Sequence, residues 1–108
     1  MKRYEIRGFK GYEFQDRGDR SCSIQESSDI GPSIWLGLNE VTPQLFLPEV
    51  DSTKTGWIDY PLPESVRIFS RMELTQYQVK ELLPVLQFFA DNGRLPNREE
   101  IYAFSYIK

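Results

Sequence analysis

The sequence predicts an α+β domain: an antiparallel β-sheet of three to five strands, one long Pro-kinked helix packed on a face, and a short C-terminal helix. Three observations predict it. Apolar and polar residues alternate through residues 12–25, the period of half-buried strands. Between residues 75 and 93 the spacing changes to three and four, the period of an amphipathic helix. Strand-like segments come first and the helix follows, an order that suits an antiparallel sheet with a helix across one side.

The helix carries the longest periodic signal. Val79, Leu82, Leu83, Leu86 and Phe89 form one apolar stripe, with Gln78, Lys80, Glu81, Gln87 and Asp91 off it. Thr75 suits the N-cap, because its hydroxyl can accept a bond from a first-turn amide. Asn92-Gly93 suits the stop, since glycine takes the left-handed conformation that closes a helix. Pro84 interrupts the pattern. It lacks the amide that would bond back to Lys80, at a cost of about 3 kcal/mol. Two arrangements fit: one helix kinked at Pro84, or two short helices with Pro84 opening the second. The stripe keeps its phase across the proline, which favours one kinked helix. Several buried stripe residues, at roughly 1.5–3 kcal/mol each, outweigh the proline.

Residues 1–10 alternate weakly and suit an edge strand or a loose arm. Tyr12–Asp16 and Ser21–Gln25 each alternate, and Arg17-Gly-Asp-Arg20 joins them as the turn of a β-hairpin; Gly18 can take positive φ and Asp19 tolerates it. Ser33–Leu38 is apolar on both faces and reads as a central strand. Pro43, Pro48, Pro61 and Pro63 divide residues 39–65 into short extended pieces. Gln44–Leu47 reads as a brief strand, Glu49–Gly56 as a polar loop, Trp57–Tyr60 as a second short piece, and Ser65–Arg71 as a strand leading to the helix. Asn97-Arg-Glu-Glu100 has the form of a capping box, opening a short helix over Arg98–Tyr106.

A chain of 108 residues is long enough for one core, so residues 1–108 are expected to form a single domain. No apolar run approaches the length of a membrane span. Met1-Lys-Arg-Tyr-Glu-Ile-Arg has no apolar core of a secretory signal, and the single cysteine forms no internal disulfide, so a reducing cytoplasm is expected. The net charge of −3 argues weakly against nucleic acid as the main partner. Residues 21–66 hold seven acidic groups and one basic, Lys54, which makes a mildly acidic middle and a candidate face for a basic partner.

The chain has no histidine, the commonest general base and metal ligand. Cys22 has no second cysteine for a zinc site and no histidine to activate it, so it reads as a small buried hydrophobe. Asp16, Asp19, Glu26 and Asp29 flank the hairpin without the spacing of a calcium or magnesium loop. Gly8, Gly11, Gly31 and Gly37 do not form a phosphate or dinucleotide motif. Neither a metal nor a cofactor is expected, and the chain is not expected to be an enzyme. Arg17 and Arg20 near Tyr12 and Phe14 can touch a nucleic-acid backbone, although two arginines are few for that purpose. Tryptophan is enriched in interface hot spots. Core packing is the plainer reading for Trp35, whereas Trp57 lies in a Pro-flanked loop where contact and packing are equally expected.

Phe14–Ser28 with Ile34-Trp-Leu-Gly37 and Arg71–Gly93 resemble a family of small proteins encoded by bacteriophages and prophages. The shared pattern is C-S-x-Q-x-S-S … I-W-L-G … R-M-x-L-T-x-x-Q-V-x-x-L-L-P, and it covers roughly half of the chain. The chain departs from the pattern by extending past Gly93 through Leu95–Lys108. No catalytic role attaches to the pattern. Small phage accessory proteins of this size often inhibit host defences, so the resemblance implies a non-enzymatic inhibitor of a host defence complex, of the anti-CRISPR type, acting in the bacterial cytoplasm. A nucleic-acid-binding accessory domain is the alternative. The expected partner contacts are Arg17, Asp19 and Arg20 at the hairpin tip, Trp57 in the loop, and Tyr102 and Tyr106 on the tail. Exposed strand edges also make a homodimer an expected assembly.

Overall fold

The strand-like segments of the first forty residues form a four-strand meander. The computed structural model describes residues 1–100. In it, β1 (Lys2–Ile6), β2 (Phe9–Gln15), β3 (Ser21–Glu26) and β4 (Ser33–Leu38) follow one another. A two-stranded ribbon comes next, β5 (Gln44–Phe46) and β6 (Trp57–Asp59), with the single turn α1 (Leu47–Val50) between its strands. Finally β7 (Arg71–Thr75) runs into α2 (Gln76–Asn92). The main sheet has the order β1-β2-β3-β4-β7, and every neighbouring pair is antiparallel. Of the two options for the N-terminal segment, the edge strand is the one observed.

Because successive side chains point to opposite faces, the register divides the sheet chemically. Tyr12, Ile24, Leu36 and Met72 lie opposite one another in one cross-strand row, and Phe14, Cys22 and Leu38 in the next. Ile34 and Leu74 extend the same face. The other face carries the rows Tyr4–Gly11–Gln25–Trp35–Glu73 and Glu13–Ser23–Gly37–Arg71. One face is therefore apolar at its centre, with Arg3, Glu5, Lys10 and Glu26 toward the β1 edge, and the other is a polar surface that includes Tyr4 and Trp35.

Three local expectations need correction. The strand before the helix is Arg71–Thr75, not Ser65–Arg71, and Phe69 is 91% exposed. Thr75 both ends β7 and caps α2, so the strand must stop there, and β4 pairs it from Ser33–Thr75 to Gly37–Arg71. Only the carbonyl of Ser70 extends the pairing, accepting from the Leu38 amide at 3.1 Å. At the hairpin tip, Asp19 and not Gly18 takes the left-handed conformation, with φ 61°. The polar segment after β5 begins with the turn α1, whose early Pro48 has the fixed φ that favours helix initiation.

α2 is capped as its sequence predicts. The Thr75 hydroxyl accepts from the Gln78 amide at 3.2 Å, and the Gln78 side chain accepts from the Thr75 amide at 3.0 Å. Gly93 closes the helix at φ 73°. The helix runs through Pro84 as one 17-residue element. A second capping box is present at Asn97 and Glu100, and residues 98–100 are helical. The rest of the expected C-terminal helix lies outside the described residues.

The expected core is incomplete. α2 meets the sheet mainly along β7, and none of its residues is buried. Val79 and Leu83 face Phe9, Ile34 and Leu74 across a groove of 670 Å³. Leu82, Leu86 and Phe89 are exposed. Among the described residues Cys22, at 4%, is the one buried hydrophobic side chain. The radius of gyration is 18.4 Å, against about 13 Å for a compact domain of this length.

Candidate functional site

The hairpin tip is organised by Asp16. Its carboxylate accepts from the backbone amides of Gly18 (2.9 Å) and Arg20 (3.0 Å) and from Arg20 Nε (2.7 Å). Arg20 Nη2 completes the ion pair at 2.7 Å. The Arg20 amide, then its guanidinium, hold the Asp16 carboxyl below the usual range. A short polar side chain that bonds amides two and four residues ahead is the device that closes such a turn. Arg17, Asp19 and Arg20 thus stand together, as expected for a contact site. All three are exposed, but Arg20 is ion-paired with Asp16 within its own chain.

Trp57 stands on the β5–β6 ribbon. The ribbon is closed by the Tyr60 amide donating to the Pro43 carbonyl (2.9 Å) and the Leu47 amide donating to the Gly56 carbonyl (3.0 Å). Gln44 Nε2 donates to Asp59 across the strands at 3.2 Å. Trp57 packs against Phe46 with ring centroids 4.7 Å apart and a tilt of 41°, yet it remains 62% exposed. Ile58 and Tyr60 are open beside it. An anchored indole with most of its surface in water has the form of an interface hot spot, because its rigidity lowers the ordering cost of contact. Tyr102 and Tyr106 lie outside the described residues.

A further cluster occupies the polar face of the main sheet. Arg71 Nη1 donates to Ser23 Oγ and Gln25 Oε1, each at 3.3 Å, and its guanidinium lies 5.9 Å from the centre of a Trp35 ring. Tyr4 donates its hydroxyl to Gln25 Oε1 at 2.9 Å. Buried Ser23 donates to Asn39 Oδ1 at 2.6 Å, and Asn39 Nδ2 donates to Ser21 Oγ at 2.7 Å. Glu73 accepts from Ser27 (2.5 Å) and Ser33 (3.4 Å) at the next row. A hollow of 540 Å³ opens above the cluster, with Glu5 and Glu13 at its wall. This cluster can order a sheet face and present donors and acceptors to a partner. Residue-by-residue reading passed over it, although Ser23, Gln25, Trp35, Gly37 and Arg71 all belong to the pattern Cys-Ser-x-Gln … Ile-Trp-Leu-Gly … Arg-Met.

Among the described residues, no three His, Cys, Asp or Glu side chains gather as a metal site. No described helix is long and apolar enough to cross a membrane. No protein family, curated protein or solved structure matches the chain.

Proposed function

We propose that this chain is a non-enzymatic binding protein of the bacteriophage type, which blocks a host defence complex in the bacterial cytoplasm. An inhibitor of CRISPR effectors is the concrete form of the proposal. The observation that carries it is Trp57, held against Phe46 yet 62% exposed on a ribbon that stands apart from the main sheet. Arg17 and Asp19 at the exposed hairpin tip are further contacts in this reading, as are Tyr102 and Tyr106, which lie outside the described residues. In this reading α2 bends at Pro84, where the Lys80 carbonyl has no amide partner. The nucleic-acid alternative has weaker support, because Arg20 is already paired with Asp16.

Affinity capture from a bacterial lysate, with plaque assays on cells expressing the chain, tests the proposal. The wild type is expected to retain a defence component and to protect phage. Trp57→Ala is expected to weaken binding about 30-fold, the effect of losing a hot spot worth about 2 kcal/mol. Recovery of no defence component together with no protection would refute the reading. Salt-sensitive retention of nucleic acid instead would establish the alternative.

A further inference from the structure

Among the described residues, arginines and carboxylates pair as Arg3–Glu5, Arg20–Asp16 and Arg94–Glu100, and Arg71 belongs to none of these pairs. Yet Arg71 is the one described arginine that is not exposed. Glu73, on the same strand and the same face, accepts from Ser27 and Ser33 instead. The guanidinium is held by neutral groups alone: Ser23 and Gln25 accept from Nη1, and the Trp35 ring lies alongside. A cation withdrawn from water in this way recovers only part of its lost hydration. Its Nε and Nη2 make no hydrogen bond among the described residues, and neither nitrogen is buried. They form an open edge with two donors.

The cross-strand row Glu13–Ser23–Gly37–Arg71 sets the layout around that edge. Gly37 has no side chain, so Arg71 passes over β4 and reaches Ser23 on β3. Ser23 is small and buried, which keeps the floor low. Glu13 stands at the far end of the row, exposed and without an ion-pair partner, although Lys2 is opposite it in the register. Glu5, the other carboxylate of the wall, is held by Arg3. Between the two free charges lies the hollow of 540 Å³, within the range of about 300–1,000 Å³ of small-molecule sites. A planar guanidinium receives a carboxylate through two parallel N–H···O bonds. A lone anion there would meet Glu13, and a lone cation would meet Arg71. A small molecule with both charges a short distance apart matches both ends.

We propose that this hollow binds a free α-amino acid with an apolar side chain. Its carboxylate accepts from Arg71 Nε and Nη2, and its ammonium donates to Glu13. Tyr4 and Ile6 on the wall contact the side chain. The site uses neither Trp57 nor the hairpin tip, so it stands or falls independently of the proposed function.

The test is an NMR titration of the isotope-labelled full chain with L-leucine. Saturable shifts are expected at the amides of Ser23, Gln25 and Arg71 and at the Arg71 Nε–H. Isocaproate lacks the ammonium and isoamylamine lacks the carboxylate, and each is expected to bind more weakly than leucine. Arg71→Lys keeps the charge but loses the planar fork, and should weaken leucine binding about tenfold. Glu13→Gln, at an exposed position, should weaken leucine about fivefold without weakening isocaproate. Absence of saturable shifts up to the solubility limit of leucine overturns the proposal, as do shifts confined to other surfaces. Isocaproate binding as tightly as leucine overturns the role of Glu13 and with it the amino-acid ligand. If Arg71→Lys unfolds, Glu13→Gln decides: an unchanged affinity for leucine rejects the site.

Discussion

Tyr4 lies flat across Gly11, so closely that a Cβ on Gly11 would overlap the phenol ring. The two residues are cross-strand partners, and the absent side chain lets the Tyr4 hydroxyl reach Gln25 two strands away. Gly37 makes a close approach of another kind. A Cβ there would stand 2.5 Å from the Ser70 carbonyl oxygen and 2.8 Å from Arg71 Cα, at φ 151°.

These two glycines predict different penalties. At Gly11 the obstacle is an edge-strand side chain that can swing out and lose one hydrogen bond, so Gly11→Ala should cost about 1 kcal/mol. Tyr4→Ala should remove that cost in the double variant. At Gly37 the obstacle is backbone, so Gly37→Ala must displace β7 and should cost about 3 kcal/mol or more. Urea denaturation checks both; equal penalties would contradict the distinction.

The Arg71 cluster should behave as a unit. Ser23→Ala removes an acceptor for Arg71 and the donor to Asn39. Arg71→Lys keeps the charge but cannot span Ser23 and Gln25 while lying over Trp35. Each single change should cost about 1–3 kcal/mol. The double variant should cost less than their sum by at least about 0.5 kcal/mol. Strict additivity in a denaturation cycle would show that Ser23 and Arg71 are not coupled.

The hairpin tip should loosen in acid. The Asp16 carboxyl is held below its ordinary value of 3.8 by the Arg20 amide and guanidinium. A depressed value in the folded chain means stability that is present above 3.8 and lost as pH falls through the lowered value. Amide resonances of Gly18 and Arg20 followed from neutral pH downward should titrate with a midpoint below 3.8. Asp16→Asn should abolish that titration.

Opposite signs are expected at the two special positions of α2. Thr75→Ala removes the hydroxyl that caps Gln78 and should cost about 1 kcal/mol. Pro84→Ala restores an amide within bonding reach of the Lys80 carbonyl and should stabilise the helix by about 1–3 kcal/mol. Far-UV circular dichroism during thermal unfolding reads both. A Pro84→Ala variant less stable than the wild type would show that the proline ring carries packing that outweighs its missing bond.

What the sequence determined alone is whatever is settled within a few residues. Alternation in Tyr12–Asp16 and Ser21–Gln25, the Thr75 cap, the Gly93 stop and the Asn97–Glu100 box are short-range features, and each was legible. Tertiary structure decided the rest. Pairing with Ser33–Gly37 placed the last strand at Arg71–Thr75 and not five residues earlier. The same pairing brought Arg71 to Ser23, 48 positions away, and so assembled a cluster with no local signature. The spacing of Leu82, Leu86 and Phe89 marked an apolar stripe, but periodicity is a property of one helix and carries no information about what covers it. Only the fold showed that its own sheet leaves that stripe open.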